Sequence, residues 1–207
     1  MMFLGRPRPE AIGNFLERCE GGALTYEPEG ASRHAPPGPE GYTLDHNPIQ
    51  LGRGKQCYQR AKQAVREWRM FDFPWVNVHY SRPGFAPVRE GTIVGVLAHP
   101  FPLPVYFLNA ARIVYVQDGP DAGSAREGPE AVREVFGFAY GTLADHVESG
   151  EERFTVEWRR DDTVWYNLLA FSRPHFWYVR LGYPVTRHLQ KRFARESKRA
   201  MQRATAP

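Results

Sequence analysis

The sequence predicts an α+β fold in which a curved antiparallel sheet of about seven strands wraps around a long C-terminal helix. Three observations predict it. Strand-like runs follow one another from Trp75 to Ser172 with short turns between them. The chain closes on a long amphipathic run, Pro184–Ala204. That run has no helical neighbour of comparable length, so its apolar side has to lie on the sheet.

Taken in order, Pro9–Cys19 carries a helical stripe, with Ile12, Phe15, Leu16 and Cys19 at three- and four-residue steps. Pro9 suits a first helical turn and Gly21-Gly22 ends it. Leu24-Thr25-Tyr26 precedes a proline- and glycine-rich loop, Pro28–Gly41. This loop reads as a connector, because the pieces on either side are too small to fold alone. One domain over 1–207 is expected, with a helix and loop in 1–41 and the body in 42–207. Tyr42–Leu51 reads as a strand, irregular at Pro48, and Gly52-Arg53-Gly54 turns it into a second helix, Lys55–Met70. The apolar stripe of that helix is Cys57, Ala61, Ala64, Val65 and Trp68.

Six further strands are expected at Trp75–Tyr80, Gly91–Ala98, Val105–Gln117, Val135–Leu143, Arg153–Arg159 and Thr163–Ser172. Arg82-Pro83-Gly84, the prolines of 100–104, Asp118-Gly119-Pro120, Glu148-Ser149-Gly150 and Asp161-Asp162 supply the turns. Phe154, Val156 and Trp158 share one strand face, against Arg153, Thr155, Glu157 and Arg159. Phe136, Phe138 and Tyr140 likewise oppose Gly137, Ala139 and Gly141, a small face that lets another element approach. In the terminal helix Val185, Leu189, Phe193, Ala200 and Met201 form the stripe. Curling of the sheet around this helix is expected to bury both sheet faces. The two surfaces diverge toward their ends and leave an apolar pocket with a mouth.

Composition narrows the class. The 207 residues are 42% hydrophobic and 24% charged, which excludes a disordered chain. Cys19 and Cys57 are too few for a disulfide framework or a cysteine metal cage, and both lie on apolar stripes. Net charge is +4. The segment from Pro184 onward holds Arg187, Lys191, Arg192, Arg195, Lys198, Arg199 and Arg203 against Glu196 alone. The body is therefore slightly acidic. A single basic helix face argues for a solvated surface over a nucleic-acid site, which draws on several elements. Gly91–Ala111 is uncharged, but its three central prolines rule out a membrane-spanning helix. The start MMFLGRPRPE lacks a signal-peptide core, and free cysteines suit a reducing, cytoplasmic setting.

The motifs of common chemistries are missing. Gly52-Arg53-Gly54-Lys55 has too few residues between its glycines for a P-loop, and Gln56 stands where Ser or Thr is needed. There is no Gly-x-Ser-x-Gly elbow and no His-Glu-x-x-His pair, and the histidines are scattered. No catalytic residue, metal or cofactor is assigned. The candidate ligand-binding residues are Arg112, Tyr140, His46, Asn167, Trp158 and Phe138. Arg112 interrupts an uncharged strand, so it either lies outward on a carboxylate or grips an anionic headgroup inside the pocket. Strand parity does not decide between the two. Tyr140 offers a buried hydroxyl that needs a partner. His46 and Asn167 are polar residues inside strand patterns, and Phe138 and Trp158 lie on the aromatic faces. Arg173 before Pro174 reads as a conformational stop. The aromatic run Phe176-Trp177-Tyr178-Val179 caps the pocket or docks a partner.

Several blocks resemble a known family. They are Leu24-Thr25-Tyr26-Glu27-Pro28-Glu29-Gly30-Ala31-Ser32-Arg33, Leu51-Gly52-Arg53-Gly54, Arg60-Ala61, Trp68-Arg69-Met70 and Asn109-Ala110-Ala111-Arg112-Ile113-Val114-Tyr115-Val116. Phe136-Gly137-Phe138-Ala139-Tyr140-Gly141-Thr142-Leu143, Gly150-Glu151-Glu152, Ala170-Phe171-Ser172-Arg173-Pro174 and Gly182-Tyr183-Pro184 with Gln190 complete the set. In this order they are similar to domain of unknown function 1990, over nearly the whole chain. The resemblance implies a helix-grip fold of the START-like, plant-allergen-like superfamily and carries over no catalytic residue. That superfamily usually places two short helices after the first strand, where this sequence shows one run, and His99-Pro100-Phe101-Pro102 makes its central turn unusually proline-rich.

The expected function is non-catalytic binding of a small apolar or lipid-like molecule. One alternative is an enzyme of cyclase or hydratase type, with His46, Tyr140 and Arg112 converging in the pocket. The other is peripheral binding of anionic membrane or nucleic acid through the terminal helix.

Overall fold

In the computed structural model, residues 1–33, 39–82, 85–120, 128–144, 146–175 and 183–206 are described. The elements are β1 (Met2–Leu4), α1 (Pro9–Arg18), β2 (Thr43–Arg53), α2 (Gly54–Arg66), β3 (Val76–His79) and β4 (Ile93–Ala98). They continue as β5 (Val105–Gly119), β6 (Val132–Thr142), β7 (Glu148–Arg159), β8 (Thr163–Pro174) and α3 (Tyr183–Thr205). The strands form one open, eight-stranded sheet in the order β2-β8-β7-β6-β5-β4-β3, with β1 added on β5. All pairings are antiparallel, as short connections require.

Helices α2 and α3 cover one face, here called the inner face. Phe138, Phe154, Val156, Tyr166 and Leu168 of the sheet join Tyr58 and Val65 of α2 and Ala200 and Met201 of α3 in the main core. Each such side chain contributes roughly 1.5–3 kcal/mol by leaving water. The Tyr166 hydroxyl meets Ser197 Oγ at 2.8 Å and fixes α3 in rotation. The buried residues of α3 are Ala194, Ser197, Ala200, Met201 and Thr205, all in its second half.

The other face is covered differently from the expectation. The cover is not a closure of the sheet, which stays open with β2 and β3 at its ends. Instead α1 lays Ile12, Phe15 and Leu16 on Leu97, Leu108, Ala110 and Leu143. Beside α1, the segment read as a connector docks through Glu151. This carboxylate, 2% exposed, accepts the Tyr26 hydroxyl at 2.6 Å, the Gly30 amide at 2.8 Å and the Ser32 amide at 2.9 Å, together with the Ser32 hydroxyl. Arg153 donates to the Ser32 carbonyl at 2.7 Å. The approach depends on the small face of β6, because a side chain at Gly141 would occupy the place of Tyr26.

Four local features differ from or add to the sequence reading. The helix after β2 does not run to Met70, because Trp68 adopts left-handed geometry (φ 57°) and starts a 3-10 turn, Arg69–Phe71. Its indole donates to the Ala86 carbonyl at 2.8 Å and packs on Phe138, which holds the unfavourable backbone in place. Glu148-Ser149-Gly150 is not a turn: it pairs with Pro174, Arg173 and Ser172 and opens β7. An irregularity between Ile113 and Tyr115 breaks strict alternation, so Val116 joins the inner core although Arg112 faces outward. The sheet gains β1, which three residues of sequence could not announce. The aromatic run 176–179 lies outside the described residues.

Removing the Glu151 carboxylate leaves buried donors unpaired. Glu151→Ala is expected to lower stability by about 3 kcal/mol in urea denaturation. Trypsin is expected to cut after Arg33 under native conditions in the variant and to spare that site in the wild type.

Candidate functional site

The first half of α3 meets the sheet through polar side chains, Tyr183 on Thr43, Arg187 on Asp45 and Gln190 on Ser172. Between the two lies a cavity of about 630 Å³. Its apolar wall is built by Val96 and Ala98 of β4, Leu168 and Ala170 of β8, Leu189 and Phe193 of α3, and by Trp75, Phe101 and Phe107. Alternation along β7 sends Glu148, Gly150 and Glu152 to this wall, while Ser149, Glu151 and Arg153 turn to the other face, where each has a partner in the 25–33 segment.

Polar residues close the mouth. Arg187 of α3 grips both carboxylate oxygens of Asp45 on β2, Nη2 at 2.8 Å from Oδ1. It also donates to Gln190 Oε1 at 2.6 Å, and Gln190 Nε2 donates to Ser172 Oγ at 3.1 Å. At the other side Trp75 donates from its indole to Glu196 at 2.8 Å, and Arg192 meets the same carboxylate at 2.9 Å. So α3 is fastened over the cavity by hydrogen bonds and ion pairs, together with the packing of Phe193 on Phe71 and Phe73.

Inside, Tyr140 stands opposite Glu152 across β6 and β7 and donates its hydroxyl to Oε2 at 2.6 Å. Burial pushes the Glu152 carboxyl up to about 7; the Tyr140 hydrogen bond opposes the rise and the charge of Asp45 adds to it. Burial also raises the Tyr140 phenol well above its ordinary value, with the Glu152 charge adding to it. Glu148 is 9% exposed and lines the cavity, and neither of its oxygens accepts a hydrogen bond from a described residue. Burial raises it too, against the nearby Ser172 hydroxyl and Arg187 charge. His146 accepts the Glu148 amide on Nδ1 at 3.0 Å, and burial lowers it to about 4, so its ring is neutral. Among the described residues no group of His, Cys, Asp and Glu is arranged to hold a metal ion.

Of the sequence candidates, Tyr140 alone lines the cavity. Arg112 lies on the α1 side and donates to the Gly22 carbonyl at 2.9 Å. His46 is exposed on β2. Asn167, 1% exposed, points away from the cavity between Pro48 and Thr155 of the neighbouring strands. Phe138 is sealed in the main core against Trp68. Trp158 stacks on Tyr58 and donates to Asp162 at 2.9 Å, toward the far end of β7. His46, Tyr140 and Arg112 therefore share no cavity. The residues missed were Glu148, Glu152, His146 and Asp45. A signal for Glu152 was present, since it continues the Phe154, Val156, Trp158 face by two residues. Glu148 was hidden by a turn-like tripeptide.

The shifts of Glu152 and His146 oppose each other in stability. Glu152 rises from 4.5 to about 7, so the folded chain holds that proton longer and stability falls as pH rises through this window. His146 drops from 6.5 to about 4, so stability rises with pH there. Glu152→Gln, which keeps the acceptor for Tyr140, is expected to stabilise the protein at pH 8 by on the order of 3 kcal/mol and to change little at pH 4. Urea denaturation at the two pH values checks this.

Similar proteins place the chain. The family described as domain of unknown function (DUF1990) matches residues 25–200. A UPF0548 protein of Dictyostelium discoideum is 39% identical over 171 residues, covering 79% of this chain and 73% of that one. A UPF0548 protein of Arabidopsis thaliana is 32% identical, over 78% and 73% of the two chains. One from Deinococcus radiodurans is 30% identical over 99% of this chain and 98% of its own. Among solved structures, the 1.88 Å crystal structure of hypothetical protein jhp0584 from Helicobacter pylori is similar at a TM-score of 0.51 and 11% identity, covering 89% of this chain and 96% of that one. That likeness concerns the fold alone.

Proposed function

We propose, from the premise that the chain belongs to the DUF1990 (UPF0548) family, that it is a non-catalytic binder of a small, largely apolar molecule. The observation that carries this reading is the 630 Å³ cavity between α3 and the sheet, a size within the ~300–1,000 Å³ common for small-molecule sites. Its wall is mostly apolar, with a few polar groups at one side, which is the usual division between affinity and orientation. We read the arrangement as a helix-grip fold of START-like type, supported by a long C-terminal helix lying over an antiparallel sheet with open space between them. No disulfide joins Cys19 and Cys57, which fits a cytoplasmic setting.

A second reading, acid–base catalysis on the same fold, is favoured by one pair. Glu152 near 7 and hydrogen-bonded to Tyr140 has the proton affinity a general acid or base needs at neutral pH. The terminal helix gives weaker support to anionic surfaces. Its Arg187 and Arg192 are committed to Asp45 and Glu196, and Arg203 to the Asp72 carbonyl.

Filling the cavity tests the binding reading. Leu189→Trp puts an indole into the space from the α3 side, away from the packed half of the helix. It is expected to weaken binding of the neutral dye Nile red by about tenfold or more while the melting temperature stays within a few degrees. Unchanged dye binding overturns the reading.

A further inference from the structure

We infer that the molecule this cavity takes is an apolar amine, with its ammonium group drawn to Glu148 and Glu152. The inference rests on the cavity-binding reading above and adds the chemical class of the ligand.

Start from the charges that face the cavity. Glu148 and Glu152 lie on the same face of β7, four residues apart. Glu148 is buried, lines the cavity and has no hydrogen-bond donor on either oxygen among the described residues. Burying a polar group in that condition costs free energy unless something supplies the missing donor. Among the described residues Glu152 receives one hydrogen bond, from Tyr140 to Oε2. The other acids that border the cavity are already satisfied, Asp45 by Arg187 and Glu151 by Tyr26, Gly30 and Ser32.

The cations nearby are committed or turned away. Arg187 is held by Asp45 and Gln190. Arg192 is held by Glu196 and the Pro100 carbonyl. Lys191 touches the rim from an exposed position on α3. Arg112 and Arg153 donate to carbonyls on the opposite face. Among the described residues the cavity thus presents two carboxyl groups with no ion pair on either, within an apolar wall that has Lys191 at its rim.

A ligand is selected by what it supplies there. A carboxylate would add a third acid to two that are already reluctant to ionise, so fatty-acid-like molecules are disfavoured. An alcohol brings a single donor and no charge. An ammonium brings three donors and the opposite charge, and its ion pair is strengthened where water is excluded. The remaining wall, including Val96, Leu168, Leu189 and Phe193, then takes the hydrocarbon. Binding a cation also draws Glu152 toward the ionised form, so association releases protons to the solvent near neutral pH.

The experiment compares decylamine, decanol and decanoate by isothermal titration calorimetry on the full chain, at physiological salt and below micelle formation. The expected order is amine, then alcohol, then acid, with the amine about tenfold or more tighter than the alcohol. Glu148→Gln combined with Glu152→Gln is expected to remove that preference while leaving decanol binding within about threefold. Decanol binding also reports that the double variant is folded, and the wild-type order needs no variant. Decanol or decanoate binding as tightly as decylamine, or a preference that survives the double substitution, overturns the amine assignment and leaves the cavity reading standing. If none of the three binds, the cavity reading itself fails.

Discussion

The two-residue alternation of β7 is the constraint on which the rest of the molecule depends. Glu151 and Glu152 are consecutive, so a strand must send them to opposite sides of the sheet. Glu151 collects donors from Tyr26, Gly30 and Ser32 and closes the outer face. Glu152 meets Tyr140 in the cavity on the inner face. One slip in register would exchange them, placing an unpaired acid under the N-terminal segment and an over-donated one in an apolar space. The register is held from both sides, by pairing to β6 as far as Gly141 and to β8 as far as Pro174.

Much of the fold was legible. Turn residues and strand-like runs gave the order of strands, and the terminal stripe gave the long helix. The turn expected at Gly52-Arg53-Gly54 is present, with Gly54 at positive φ (84°). The close approach expected on the small face of β6 is the approach of Tyr26. What escaped were features that depend on partners distant in sequence. Residues 24–33 look like loop by composition, and only the carboxylate of Glu151, over a hundred residues on, makes them part of the packing. The left-handed Trp68 is set by where its indole lands, which no local propensity encodes.

The site was less legible for a related reason. Aromatic residues on strands were candidates for pocket lining, yet Phe138 and Trp158 fill core, because the second half of α3 and α2 cover that part of the sheet. Whether an inner-face residue lines a cavity or a core depends on how far the helix stands off, a tertiary quantity. Arg112 drew notice as a charge within an apolar strand, and one hydrogen bond to Gly22 accounts for it. The acids that do face the cavity attracted none, since Gly150-Glu151-Glu152 looks like ordinary surface until alternation is applied to it.

The unequal fastening of α3 has a mechanical consequence. Its second half is embedded in the core through Ala200 and Met201, with Ser197 pinned to Tyr166. Its first half is moored by the Asp45–Arg187 clasp and the Gln190–Ser172 contact. The polar contacts of the first half are partly hydrated and each is worth little, so the packing of Phe193 on Phe71 and Phe73 is the apolar hold nearest that end. On the proposed binding reading, this more loosely held end is the one beneath which a guest would enter, with the core under Ala200 and Met201 left closed.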